Sequence, residues 1–206
     1  MEDAIRAAHK PLPADTGLIK GACLIQALTY LEKLQGRSRI EEAMNRMPPD
    51  LYDHVDATRA SFGLISSEWY STAATHFILD CITRPLGTIE RETLARALAK
   101  AVMDSTLRGV YGFLFSIMAT PDRYARHAPQ LWANYYADGR VALVTENKTM
   151  TAAIRDWKGH HPFLCAVVQY ARVAALESMG CKEVSSEMAC KSHIGGDECS
   201  ARHTWL

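Results

Sequence analysis

Apolar positions recur with a helical period from Leu18 onward. Leu18, Ile19, Cys23, Leu24, Ala27, Leu28, Leu31 and Leu34 fall on one stripe, and Gly36 ends it. Ser38, with Glu41 three residues on, has the capping-box pattern and opens a short helix that Pro48-Pro49 stops. Asp50 to Ala57 reads as a further short turn of helix. Ser66 to Tyr70 opens a longer helix, with Trp69, Ala73, Phe77, Ile78, Cys81 and Ile82 on one face and Pro85-Leu86-Gly87 at its end. Ile89 to Met118 is mostly helical, with a break near Arg108-Gly109, because a glycine inside a helix costs roughly 1 kcal/mol. Thr120-Pro121 puts a hydroxyl at the cap and proline at the first position of another helix, which reaches Tyr135-Tyr136.

At Asp138-Gly139 the period changes to two. Val141 and Leu143 alternate with Ala142 and Val144, Glu146-Asn147-Lys148 turns the chain, and Met150, Ala152 and Ile154 lead a return strand to Trp157. His160-His161-Pro162 opens a helix lined by Leu164, Val168, Ala171, Ala175 and Met179, and Gly180 closes it. Lys182 to Cys190 reads as a strand, Lys191 to Glu198 as a turn, and Cys199 to Leu206 as the last strand. Helices followed by antiparallel strands predict an α+β fold: a helical N-terminal half packed on a four-stranded antiparallel sheet made of two hairpins flanking a helix. Residues 1–16, with Pro11, Pro13 and charges in no period, read as a flexible arm. Residues 17–206 then form a single domain.

Composition narrows the functions. The chain has 206 residues, 48% of them apolar, and equal numbers of basic and acidic side chains. No basic run gives nucleic acid a footprint. No segment approaches the roughly 20 apolar residues of a membrane span, and the N-terminus has no signal-peptide core. A cytoplasmic location is expected, where thiols stay reduced.

The candidate chemistry lies at the C-terminal end. Cys165, Cys181, Cys190 and Cys199 sit at the joints of the last helix and hairpin, with Glu187 three residues before Cys190. Thiolates gathered in this way suit a tetrahedral zinc. Buried cysteines acting as small hydrophobes are the other reading, since no Cys-x2-Cys pair is present. Residues 187 and 190 point to opposite faces of a regular strand, so both reach one metal only across a bulge. His193, in the turn, could stand in for Glu187. His76 reads as a partnered boundary histidine, and Asp156 with His160 and His161 as a polar loop. Trp132, Tyr135 and Tyr136 belong to the core or to a dimer surface. No phosphate loop, nucleophile elbow or His-Glu-x-x-His motif is present, so catalysis is not expected.

The run Cys165, Tyr170, Met179-Gly180, Glu187, Cys190, Gly196-Asp197 and Cys199 resembles the end of the 4-vinyl-reductase domain of bacteriochlorophyll-pathway proteins and phenol-responsive activators. Upstream, Lys20-Gly21, Tyr30-Leu31, Trp69-Tyr70, Gly109-Val110-Tyr111, Pro121 and Pro129-Gln130-Leu131-Trp132 resemble a narrower family of uncharacterised bacterial proteins. The resemblance implies a fold shared with the small subunits of the TRAPP tethering complex, commonly dimeric, with an apolar pocket between helices and sheet. It also implies a structural zinc on Cys165, Glu187, Cys190 and Cys199, with Cys181 unmatched, either a bystander or, through a shift of register, a substitute for Cys165. The implied function is a small-molecule sensor or regulatory module, a homodimer that takes an apolar or aromatic ligand and acts through a partner protein. The other functions it implies are a non-catalytic interaction module of TRAPP-subunit type and an accessory protein in tetrapyrrole vinyl reduction.

Overall fold

The computed structural model describes residues 17–48, 55–56, 58–108, 120–190 and 198–206. The expected arm at 1–16, the turn of helix beginning at Asp50 and the turn holding His193 and Gly195-Gly196-Asp197 lie outside the described residues.

Among the described residues the chain forms six helices and six strands. Strand β1 (Leu18–Lys20) runs straight into α1 (Gly21–Gln35), and α2 (Arg37–Asn45) follows across Gly36. Strand β2 (Trp69–Ser71) pairs antiparallel with β1 and leads into α3 (Thr72–Thr83). Helices α4 (Thr88–Arg108) and α5 (Pro121–Ala133) complete the helical half. The hairpin β3 (Arg140–Glu146) and β4 (Thr149–Arg155) comes next. Helix α6 (Pro162–Ser178) and the strands β5 (Ser185–Cys190) and β6 (Glu198–Thr204) end the chain.

The predicted α+β architecture holds: four antiparallel strands in the order β3-β4-β6-β5, flanked by helices. The two hairpins are joined by pairing β4 to β6. The inner face of the sheet carries Met150, Ala152 and Ile154 from β4, opposite His203, Ala201 and Cys199 from β6, and all six are buried. Helix α6 lies against this face and packs along α4 on its other side. No helix among the described residues is long and apolar enough to cross a membrane.

Several local predictions hold for the stated reasons. Thr120 caps α5, accepting from the Arg123 amide, with Pro121 at the first turn. Gly180 adopts a φ of +89° after α6. The β3–β4 turn places Asn147 and Lys148 at φ +47° and +59°, the left-handed pair that a two-residue hairpin needs.

Two predictions fail at element ends. Leu18–Lys20 and Trp69–Ser71 are paired strands, not the first turns of helices. The cap of α3 is therefore Ser71, whose Oγ accepts from the Ala73 amide at 3.1 Å. Ser38 lies inside α2, which has no side-chain cap.

Candidate functional site

The junction of helices and sheet holds a half-open cavity of about 130 Å³. Its position follows from how α1 begins. Gly21, the first residue of α1, has its amide on Glu68 O at 2.9 Å. A Cβ there would meet the Ile65 carbonyl oxygen at 2.1 Å, so only glycine allows this approach. Cys23, two residues on in the same turn, then lines the cavity together with Val102 and Met103 of α4.

Helix α5 supplies Tyr124, Ala128 and Trp132, one turn apart each, and α6 supplies Val168, Ala171 and Arg172. Val141 and Leu143 of β3 close the side toward the sheet. A second cavity of about 80 Å³ adjoins it and shares Cys23, Val102, Tyr136, Val168 and Ala171.

Aromatic packing fixes the wall after α5. Trp132 stacks on Tyr136 at 4.1 Å between centroids, and both meet Trp157 edge-on at 4.9 Å. The Trp132 indole donates to Asp138 O at 2.8 Å. Trp157 is held between two glycines. Gly139, at φ +86°, would place a Cβ 2.8 Å from Trp157 Cβ, and a Cβ on Gly159 would lie 2.5 Å from the indole ring. Trp132 and Tyr136 are thus core, not surface.

The polar groups on the lining are uncharged, with one exception. Burial pushes the Cys23 thiol up to about 11, and a hydrogen bond with Tyr136 offsets this in part. Burial also raises the Tyr136 and Tyr124 phenols. Among the described residues the one ionised side chain on the lining is Arg172, which is 4% exposed.

Behind the cavity, α6 and the sheet bury a small polar layer. Gln169, fully buried, accepts from Arg172 Nη1 and reaches the Cys199 sulfur with Nε2 at 3.5 Å. His203, also fully buried, finds no hydrogen-bond partner for either ring nitrogen among the described residues. Burial first, and the Arg172 charge second, lower its pKa to about 4, so it is neutral at pH 7.

A second cluster of histidines lies at the other end of α6. His161 caps the helix, accepts from the Leu164 amide, and bonds Asp80 at 3.2 Å through Nε2. His76 stacks on His161 at 5.0 Å and contacts Gly159 O at 3.1 Å, so it is the partnered histidine expected. His160 Nδ1 lies 3.4 Å from the Cys165 sulfur. Asp156 pairs with Arg140 at the surface.

Of the expected zinc ligands, Glu187 and Cys199 lie on opposite faces of the sheet. Glu187 pairs in register with Arg202 and is exposed on the outer face of the sheet. Cys199 is buried on the inner face, where Cys165 of α6 is also buried. Cys190 is the register partner of Cys199. Strand β5 pairs with β6 residue for residue, so nothing relieves the alternation that separates positions 187 and 190. Cys181 is half-buried beyond α6, beside the cluster of Met103 and Leu176. Among the described residues no three His, Cys, Asp or Glu side chains are grouped as a metal ion requires. The structural zinc cofactor is therefore corrected.

Sequence reasoning missed Arg172, Gln169 and His203. Each carries a readable sign. Arg172 falls four residues after Val168 on the apolar stripe of α6, Gln169 four after Cys165, and His203 continues the inward alternation Cys199, Ala201.

No family model and no curated protein sequence matches the chain. Solved structures do. An H-NOX protein from S. oneidensis in the Fe(II)NO ligation state superposes with a TM-score of 0.63 over 91% of this chain and 99% of that one, at 14% identity. An unliganded Fe(II) H-NOX protein mutant from K. algicida gives 0.64, at 12% identity, over 91% of this chain and 97% of that one. An oxygen-binding H-NOX domain related to soluble guanylate cyclases gives 0.58, at 11% identity, over 91% and 95%.

The fold is of the H-NOX kind. The expected likeness to 4-vinyl-reductase and TRAPP small-subunit domains is overturned by these matches to H-NOX structures, although the coarse α+β architecture stands.

Proposed function

We propose that the chain is a sensor or regulatory module that binds a small apolar or aromatic molecule in the cavity between α1, α4, α5, α6 and β3. One observation carries this reading: a carbon-lined hollow at the meeting point of the helical half and the sheet, walled by neutral phenols and a neutral thiol. Ligand sites are typically concave, mostly apolar and furnished with a few polar groups. The fold supports the reading by analogy, since the similar H-NOX structures include one titled as oxygen-binding.

Similar H-NOX structures include one in an Fe(II)NO ligation state and one probing heme distortion, so heme is the cofactor to test against this cavity. The residues here do not fit it. Heme iron takes an axial histidine, thiolate, methionine or tyrosinate. Among the described residues no histidine lines the cavity. His127, the histidine of α5, is exposed and pairs with Gln130, while its neighbour Ala128 faces inward. Cys23, Met103 and three tyrosines do line the cavity, so the mismatch rests on the missing histidine and on the size of the hollow. A cavity of roughly 150 Å³ holds one benzene, and about 130 Å³ falls far short of four fused pyrroles.

The ligand state is passed on through a partner protein or between two copies of the chain, both of which belong to the same proposal. Melting curves with toluene, phenol and hemin test it. Either single ring is expected to raise the melting temperature, because a ligand that binds only the native state stabilises it by RT ln(1 + [L]/Kd). A saturable one-to-one hemin complex with no response to either ring would overturn it.

A further inference from the structure

We infer that the cavity selects a single-ring carboxylate, with the Arg172 guanidinium as the partner of its anionic head. The inference rests on the ligand-binding reading above and names the class of ligand that the same cavity takes.

Size sets the body of the ligand. About 130 Å³ admits one six-membered ring, and the walls of Val102, Ala128, Val168 and Ala171 offer it only carbon. Charge sets the head. Arg172 lies on this lining at 4% exposure. Its hydrogen bond goes from Nη1 to the neutral amide oxygen of Gln169.

Among the described residues the titratable groups near Arg172 are Tyr124, Cys199, Tyr136 and Cys165, with His203 beyond. None of them is a carboxylate. The two phenols are held protonated and the imidazole neutral. Taking an ion out of water costs several kcal/mol unless a counter-charge and further hydrogen bonds offset it. Gln169 supplies one acceptor and no charge.

A carboxylate supplies what is missing. It accepts from the planar guanidinium through two parallel bonds and restores neutrality beside it. Its ring would then lie along α6 toward Val168 and Ala171, against Trp132 and Tyr136. A ligand of the same shape without the charge would leave the guanidinium as it is now.

Titration calorimetry on the full chain at neutral pH, with benzoate, benzamide and toluene as probes, tests this. Benzoate is expected to bind at least about tenfold more tightly than benzamide, since an ionised acceptor makes the stronger bond to arginine. In Arg172→Met that preference should collapse to near unity while toluene still binds. Arg172→Lys keeps the charge and should retain preference for benzoate. Where the methionine variant does not fold, the wild-type ratio and the lysine variant decide the matter. Benzamide or toluene binding as tightly as benzoate would overturn the anion inference and leave the ligand-binding reading standing. Failure of all three to bind would overturn both.

Discussion

Arg172 and Gly139 show how single residues make the site. Arg172 sits where the apolar stripe of α6 calls for a hydrophobe, and a lone charge on such a stripe is the sequence sign that was legible but unread. It was obscured because Leu164, Val168, Ala171 and Ala175 satisfy the helical period without it. The cysteines are the more conspicuous residues of this region. Their order along the chain is readable, but which face of β5 carries Glu187 depends on its register with β6, and that register is a property of the pairing.

Gly139 is a sharper case. Its φ of +86° and the 2.8 Å approach to Trp157 leave no room for a methyl group. Gly139→Ala is expected to lower stability by about 2 kcal/mol, through left-handed strain and displacement of the indole that backs Trp132 and Tyr136. Urea unfolding measures it; an unchanged midpoint would show that the Trp157 clamp is dispensable.

At the scale of elements, long periodic segments were legible and short ones were not. Helices α4 to α6 and the β3–β4 hairpin stand close to where periodicity and turn chemistry put them, because each has enough residues to show a period. Strands β1 and β2 have three residues each, too few to show alternation, and each runs directly into a helix. Their apolar residues were therefore read as first helical turns.

The consequence for capping is direct. Ser71, not a residue of the Ser66-Ser67 pair, ends the strand and caps α3. Ser71→Ala should cost about 1 kcal/mol, the usual loss for a helix deprived of its N-cap acceptor. Ser66→Ala should change nothing in the same thermal or urea melts. Equal effects of the two would contradict the observed start of the helix.

For the whole molecule, buried histidines set a pH dependence. His203 and His76 both have pKa values lowered to about 4, mainly by burial. Each is depressed in the native state, so the unfolded chain binds more protons between about pH 4 and 6.5. Stability is full above that window and falls as pH drops through it. The fully buried His203 accounts for about 3 kcal/mol of the fall. His203→Leu should flatten the profile over this range; a variant with the wild-type slope would contradict the assignment.

The overall architecture was legible because helices first and hairpins last leave few ways to cover a sheet. The cavity was not, because it is made by residues of five elements whose approach is set by packing, as at Gly21 against Ile65. Its existence as a ligand site is what the functional reading stands on.

The most direct measurement compares melting with and without saturating toluene in the wild type and in Ala128→Met, whose longer side chain would fill the hollow from α5. The wild type should gain stability with toluene and the variant should not, while the variant alone melts within about 1.5 kcal/mol of the parent. Equal toluene shifts in both proteins, or none in the wild type, would contradict a binding cavity at this place in the fold.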